Sequence, residues 1–150
     1  MFDNGTIKTT FQEYRDKILE ITNAKTYAYG RYGLEFAAVM IYSETPIDID
    51  VCSAGIRQSD NIYSLEENLF VVVFDMVNSE SSLKAAQNFL HAYQQFDVRQ
   101  ELYVLVAPAH QDGTAIDIGS RLFILLEYAL KEHLFNTIID IEQMQSRSWM

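Results

Sequence analysis

The sequence predicts a single domain of the α/β (α+β) class, with a central sheet of about five strands flanked by helices. Three observations carry that prediction. Apolar runs recur at Leu34–Tyr42, Leu69–Val77 and Leu102–Ala107, with the β-branched and aromatic content of buried strands. Segments with apolar residues at spacings of three and four lie around and between them, as helices require. The 150 residues hold no internal repeat, charge block or low-complexity tract, and that length suits one core rather than two.

Each element has its own signal. In residues 6–25, Ile7, Phe11, Tyr14, Ile18 and Ile21 form a helical stripe, with Glu13, Lys17 and Glu20 elsewhere on the cylinder. Tyr29-Gly30-Arg31-Tyr32-Gly33 then reads as a connector. Leu34–Tyr42 is nearly continuous in apolar residues, the mark of a central strand buried on both faces. Pro46 ends regular structure there, and Ile47–Gly55 fits neither the helix nor the strand template. Asn61–Leu65 reads as a short strand that turns at Glu66-Glu67-Asn68, a solvated turn, into the strand Leu69–Val77. Asn78-Ser79-Glu80 supplies an N-cap for a helix over 80–96, whose stripe is Leu83, Ala86, Phe89, Leu90 and Tyr93. Leu102–Ala107 is a third core strand, stopped by Pro108. Asp112-Gly113 turns the chain towards a last helix over 116–134, Thr137–Ile141 offers a final strand, and Gln145–Met150 reads as a tail carrying Trp149.

Composition excludes several functions. Lys+Arg 11 against Asp+Glu 21 leaves a formal net charge of −10, which repels phosphate backbones, so neither DNA nor RNA is an expected partner. A small anion can still bind at a local arginine cluster, because screening acts over ~8 Å at physiological salt. The single cysteine, Cys52, excludes an internal disulfide framework and any multi-cysteine zinc site. It has no neighbouring base or cation in sequence and is expected to be an inert small hydrophobe. His91, His110 and His133 are dispersed, with no second ligand one turn away, so no metal site is expected. The longest apolar run, Leu69–Phe74, is far short of the ~20 residues a membrane helix needs. Met1-Phe2-Asp3-Asn4-Gly5 is neither basic nor apolar enough for a signal peptide. These features point to a cytoplasmic domain, alone or within a larger membrane-associated protein.

One spacing stands out. Arg57-Gln58-Ser59-Asp60 is followed by the five residues Asn61–Leu65 and then by Glu66-Glu67-Asn68-Leu69-Phe70 at the hairpin turn. An Arg-x-x-Asp, five residues, an acidic hairpin turn, then helix, strand, helix and strand resembles the GGDEF domain of diguanylate cyclases, over about residues 9–142. The last helix resembles it too: Tyr128, Lys131 and Asn136 fall on the family's Tyr, Lys and Asn positions, with Leu134 and Phe135 replacing its Gly and Arg.

The departures concern catalysis. In the family, the first strand ends in an aspartate that, with the signature's acidic residue, binds two divalent metals bridging the GTP phosphates. Here that strand ends Tyr42-Ser43-Glu44, and Leu69 replaces the acidic residue. Glu66 and Glu67 replace the two glycines and would occupy and repel the space of the nucleotide. The segment Ser43–Arg57 is too short for the family's guanine-recognition helix, and Asp48-Ile49-Asp50, beyond Pro46, lies off the strand end. The resemblance therefore implies a degenerate, inactive domain with no catalytic residues, metal or cofactor. Silent members that keep Arg-x-x-Asp serve as cyclic di-GMP receptors. This implies a ligand site at Arg57 and Asp60, with Lys84 and Asn88 of the following helix and Arg99 just past it as further contacts. Asp60 would accept the N–H groups of a guanine and Arg57 would donate to guanine or phosphate. Binding would act through a homodimer or a partner protein. The alternative is an interaction or scaffold domain that uses the altered hairpin face with no ligand.

Overall fold

The computed structural model describes the backbone of residues 4–109 and 117–148, and the side chains of residues 12–109 and 117–145. His110, the Asp112-Gly113 turn and Trp149 lie outside the described residues. Helix α1 (Asn4–Tyr32) runs for 29 residues, about 43 Å at 1.5 Å per residue. It is longer than the stripe at 6–25, and the expected connector at Tyr29–Tyr32 is helical. A helix tolerates one interior glycine at about 1 kcal/mol, so Gly30 does not stop it. Gly33 does, at φ +71, with its N–H donating to Tyr29 O at 2.9 Å.

Strand β1 (Phe36–Tyr42) is buried along its whole length, and it is the centre of a five-stranded sheet of order β2-β3-β1-β4-β5. The segment without a clear template holds helix α2 (Ile49–Ala54). Asp48 caps it, with Oδ1 accepting the N–H groups of Asp50 and Val51. Strand β2 (Asn61–Glu66) forms one edge of the sheet and turns into β3 (Leu69–Asp75). β3 stops at Asp75 rather than Val77, because Met76 takes φ 56 and Asn78 turns to cap helix α3 (Ser79–Phe96). Strand β4 (Tyr103–Pro108), helix α4 (Ile118–Glu132), the two-residue β5 (Ile138–Ile139) and helix α5 (Ile141–Ser148) follow. Residues 145–148 are thus helical where a tail was expected. Asp140 Oδ1 accepts Gln143 N–H and starts that helix. β1 runs antiparallel to β3 and β4, whereas β5 is parallel to β4.

The pleat sorts β1 into two cores. Phe36, Ala38, Met40 and Tyr42 face the layer of α1 and α4. Ala37, Val39 and Ile41 face that of α2 and α3. Both layers exclude water, so the strand must be apolar at every position. Arg15 straps α1 to α4, donating Nη2 to Asp117 at 3.0 Å and Nε to Ser120 Oγ at 3.0 Å. Burial alone would raise the Asp117 carboxyl, but the Ser120 N–H and Arg15 outweigh it and hold it below the usual range.

Two glycines make a paired test. Gly33 sits in open space at φ +71, so Gly33→Ala should destabilise by about 1–2 kcal/mol through backbone conformation alone. At Gly55, which has φ −89, an added Cβ would meet its nearest neighbours at 3.5–3.7 Å. Gly55→Ala is therefore expected to be neutral or to stabilise by up to about 1 kcal/mol. Urea unfolding of both variants checks the opposite signs.

Candidate functional site

Arg57 opens a turn between α2 and β2, closed by Asp60 N–H donating to Arg57 O at 3.0 Å. The Asp60 side chain is fully buried, and Arg57 is half exposed at 53%. Asp60 Oδ2 accepts from the backbone N–H and the Nε of Arg57, each at 3.0 Å. Its Oδ1 accepts from Arg57 Nη2 at 2.9 Å and from Asp75 N–H at 3.1 Å. Those four bonds fill the carboxylate's acceptor positions. Asp60, expected to read a guanine edge, here holds Arg57 and the end of β3. Arg57 Nη2 also donates to Asp75 O. The hydrogen bond to Asp60 raises the guanidinium above its already high range. Among the described residues nothing accepts a hydrogen bond from Nη1.

The other expected contacts are placed unequally. Lys84 and Asn88 are exposed one turn apart on α3, and no hydrogen bond or ion pair joins either to Arg57 among the described residues. The helix is nonetheless near, since Gly55, two residues before Arg57, faces Phe89 and Ala92 of α3. Arg99 is at the opposite end of the sheet. Asp75, which Arg57 touches, pairs with Phe36 at the start of β1, whereas Arg99 lines a cavity with Ser43, Thr45 and Tyr103 beyond its end. A seven-residue strand puts about 20 Å between them. Arg99 does not join Arg57.

At that far end lies the hairpin turn. Ser43 N–H donates to Asn68 O at 3.1 Å, Ile47 N–H to Glu67 O at 2.9 Å, and Asn68 Nδ2 to Ser43 O at 2.9 Å. The turn is thus stitched to the segment after β1. Glu66 is exposed as expected, yet it is not merely solvated: Tyr14 OH of α1 donates to its Oε1 at 2.7 Å. Burial first, and then Glu66, push the Tyr14 phenol up to about 12. Gln100 was not a candidate from sequence, since a lone glutamine in a connector carries no signal. Its Nε2 reaches Pro46 O at 2.9 Å and Thr45 Oγ1 at 3.0 Å, and its Oε1 accepts from Tyr93 OH at 2.7 Å. Tyr93 in turn accepts from Asp48 N–H at 3.0 Å. Among the described residues no three His, Cys, Asp or Glu side chains converge on a point where a metal could sit. Cys52 is buried, and burial, then the Asp48 charge, push its thiol up to about 12, which disfavours the nucleophilic thiolate.

The strand order, the hairpin and the helices on both faces make this a GGDEF cyclase-like fold, as the order of elements led us to expect. The sequence itself matches no protein-family model and no curated protein. Among solved structures, the diguanylate cyclase SiaD of Pseudomonas aeruginosa, in complex with its activator SiaC, superposes with a TM-score of 0.67 at 13% identity. The match covers 84% of this chain, which spans only 57% of that one. A microbial GGDEF domain studied for its interaction with cyclic di-GMP gives 0.59 at 14% identity, covering 84% of this chain and 92% of the other. The active GGEEF domain of a diguanylate cyclase from Vibrio cholerae gives 0.58 at 15%, covering 77% and 89%.

Proposed function

We propose that this GGDEF-like domain is a cyclic di-GMP receptor that has lost cyclase activity and takes its ligand at Arg57. The supporting observation is the presentation of that side chain. Asp60 holds the guanidinium by its Nε and Nη2 edge and Asp75 O takes the second Nη2 hydrogen, leaving Nη1 to donate to a phosphate oxygen or to one guanine acceptor. A guanidinium fixed in advance loses less entropy on binding than a free one. Lys84 and Asn88, exposed on the adjacent α3, supply a second charge and an amide. Cyclic di-GMP carries two guanines and two phosphates, so stacked copies can bridge a second protomer or change a partner's docking. The same reading makes the domain similar to the receptor domain of PelD, with exopolysaccharide and biofilm output as its consequence and the cytoplasm as its place.

Loss of catalysis rests on residue types. Ser43 and Leu69 stand where metal-binding carboxylates are required, and the short α2 occupies the segment where a guanine-recognition helix would sit. A second reading, a scaffold domain without ligand, is favoured by the exposure of Phe96 and Val98, at 55% and 73%, on the chain leading to Gln100.

Calorimetric titration of cyclic di-GMP tests the proposal. We expect micromolar affinity, weakened about tenfold by Lys84→Gln, which breaks no hydrogen bond or ion pair among the described residues, and lost in Arg57→Gln. No heat with the native chain would overturn the receptor and leave the scaffold. Turnover of GTP with magnesium would overturn the loss of cyclase activity.

A further inference from the structure

The sheet end that carries Arg57 also carries a cleft, away from the arginine and between α3, β4 and α5. Two adjoining cavities of about 310 and 280 Å³ share Ser79, Glu80 and Pro108. Their floor is apolar, made by Phe36, Val77, Leu83, Val106 and Pro108. Their acidic groups are Glu35, Glu80, Asp140 and Glu142, and among the described residues no lysine or arginine lines either cavity. None of the four carboxylates is in an ion pair among the described residues.

Asp140 is the deepest of them. It is 9% exposed, and its Oδ1 is committed to Gln143 N–H. No partner holds Oδ2 among the described residues, although Asp140 lines the cavity. A carboxylate with one oxygen uncommitted among the described residues can accept from a cationic donor entering the cavity. The helix ends do not oppose such a donor. Glu80 lies in the first turn of α3 and Glu142 in that of α5, so both amino-terminal dipoles already face a negative charge.

The geometry points to a docking cleft for a basic segment of a protein partner, one that inserts lysine or arginine side chains. Their aliphatic stems would cover the apolar floor while the charged heads meet the four carboxylates, a division these two residue types make readily. Charge complementarity selects this occupant: an apolar floor without the acids would suit a hydrophobic segment, and acids without the floor would suit a hydrated ion. The net charge of −10 speeds the approach of any cation, and the cleft decides where it stops.

The test is a nuclear magnetic resonance titration of the full chain with the peptide acetyl-Ala-Lys-Leu-Arg-Leu-Ala-amide. We expect saturable shifts of the Ser79, Ser82, Leu83 and Asp140 amides, and none with the peptide whose basic residues are glutamine. The exposed pair Glu80→Gln with Glu142→Gln should weaken binding at least tenfold. Glu20→Gln with Glu67→Gln makes the same change in net charge elsewhere and should leave affinity within twofold. Equal weakening by both pairs would reduce the effect to bulk charge and overturn the proposal, as would equal binding of the glutamine peptide. Shifts of the same amides by magnesium chloride but not by the peptide would make the cleft an ion site and overturn it too.

Discussion

Asp60→Ala is expected to lower the free energy of unfolding by about 3 kcal/mol. The side chain is fully buried and accepts four hydrogen bonds. Its removal strands the Arg57 and Asp75 backbone N–H groups and frees a guanidinium. Breaking a buried pair costs about 3–5 kcal/mol, and Arg57, being half exposed, can rehydrate, which places the expected loss at the lower end. Asp60→Asn should cost less, about 1–2 kcal/mol, because one oxygen still accepts while the amide meets a donor where a carboxylate oxygen stood. Urea unfolding with an unchanged slope would establish the ordering. A loss below 1 kcal/mol for Asp60→Ala would mean that the four bonds are replaced by water. Ligand binding in this variant says little about recognition, which is why Lys84→Gln carries that test.

Phe89→Ala should cost about 3–5 kcal/mol, the range for a large aromatic removed from a packed core. Phe89 is 1% exposed, on the α3 face against Gly55 and among Val39, Ile41, Val72 and Val104 of the second core. Its loss leaves a void between α2 and the sheet, and α2 leads directly into the Arg57 turn. Phe89→Leu should cost about half as much, since most of the volume is retained. We expect the alanine variant to loosen Arg57 as well, read as faster hydrogen exchange of the Asp60 and Asp75 amides relative to β4. Unchanged exchange there would show that the turn is held by Asp60 alone.

Much of this architecture was legible in the chain. The runs of apolar residues around Ala38, Val72 and Leu105 marked strands buried on both faces, and Asn78 marked the start of α3, because those signals are local. The extension of α1 was not legible, since Gly30 between Tyr29 and Tyr32 resembles a connector until tertiary packing holds it. α2 hid because six residues are too few to show a period, and α5 because its eight residues are also short and its second half, from Gln145, looks like a tail. At the site, the spacing of Arg57 and Asp60 made their meeting legible. Their closure on each other was not, because it depends on Asp75, fifteen positions on in sequence. Arg99 was misplaced for a related reason: spacing along α3 gives distance but not the end of the sheet where the chain emerges. Gln100 left no trace, since its role exists only once Tyr93 and the segment after β1 are folded around it.

Asp75 has a mechanical consequence. Its backbone N–H and C=O serve Asp60 and Arg57, while its carboxylate holds Lys25 of α1 at 2.7 Å. The first two contacts lie in the plane of the sheet, on the β2 side, and the third on the α1 face, so one residue joins the edge of the sheet to a helix layer. A ligand that pulled Arg57 outward would load the same residue that anchors a helix of about 43 Å. Tyr14, nearly three turns earlier on that rod, grips the hairpin turn at the sheet's other end. A tug at one rim would then be felt at the other through the rod, with no need for the sheet itself to bend.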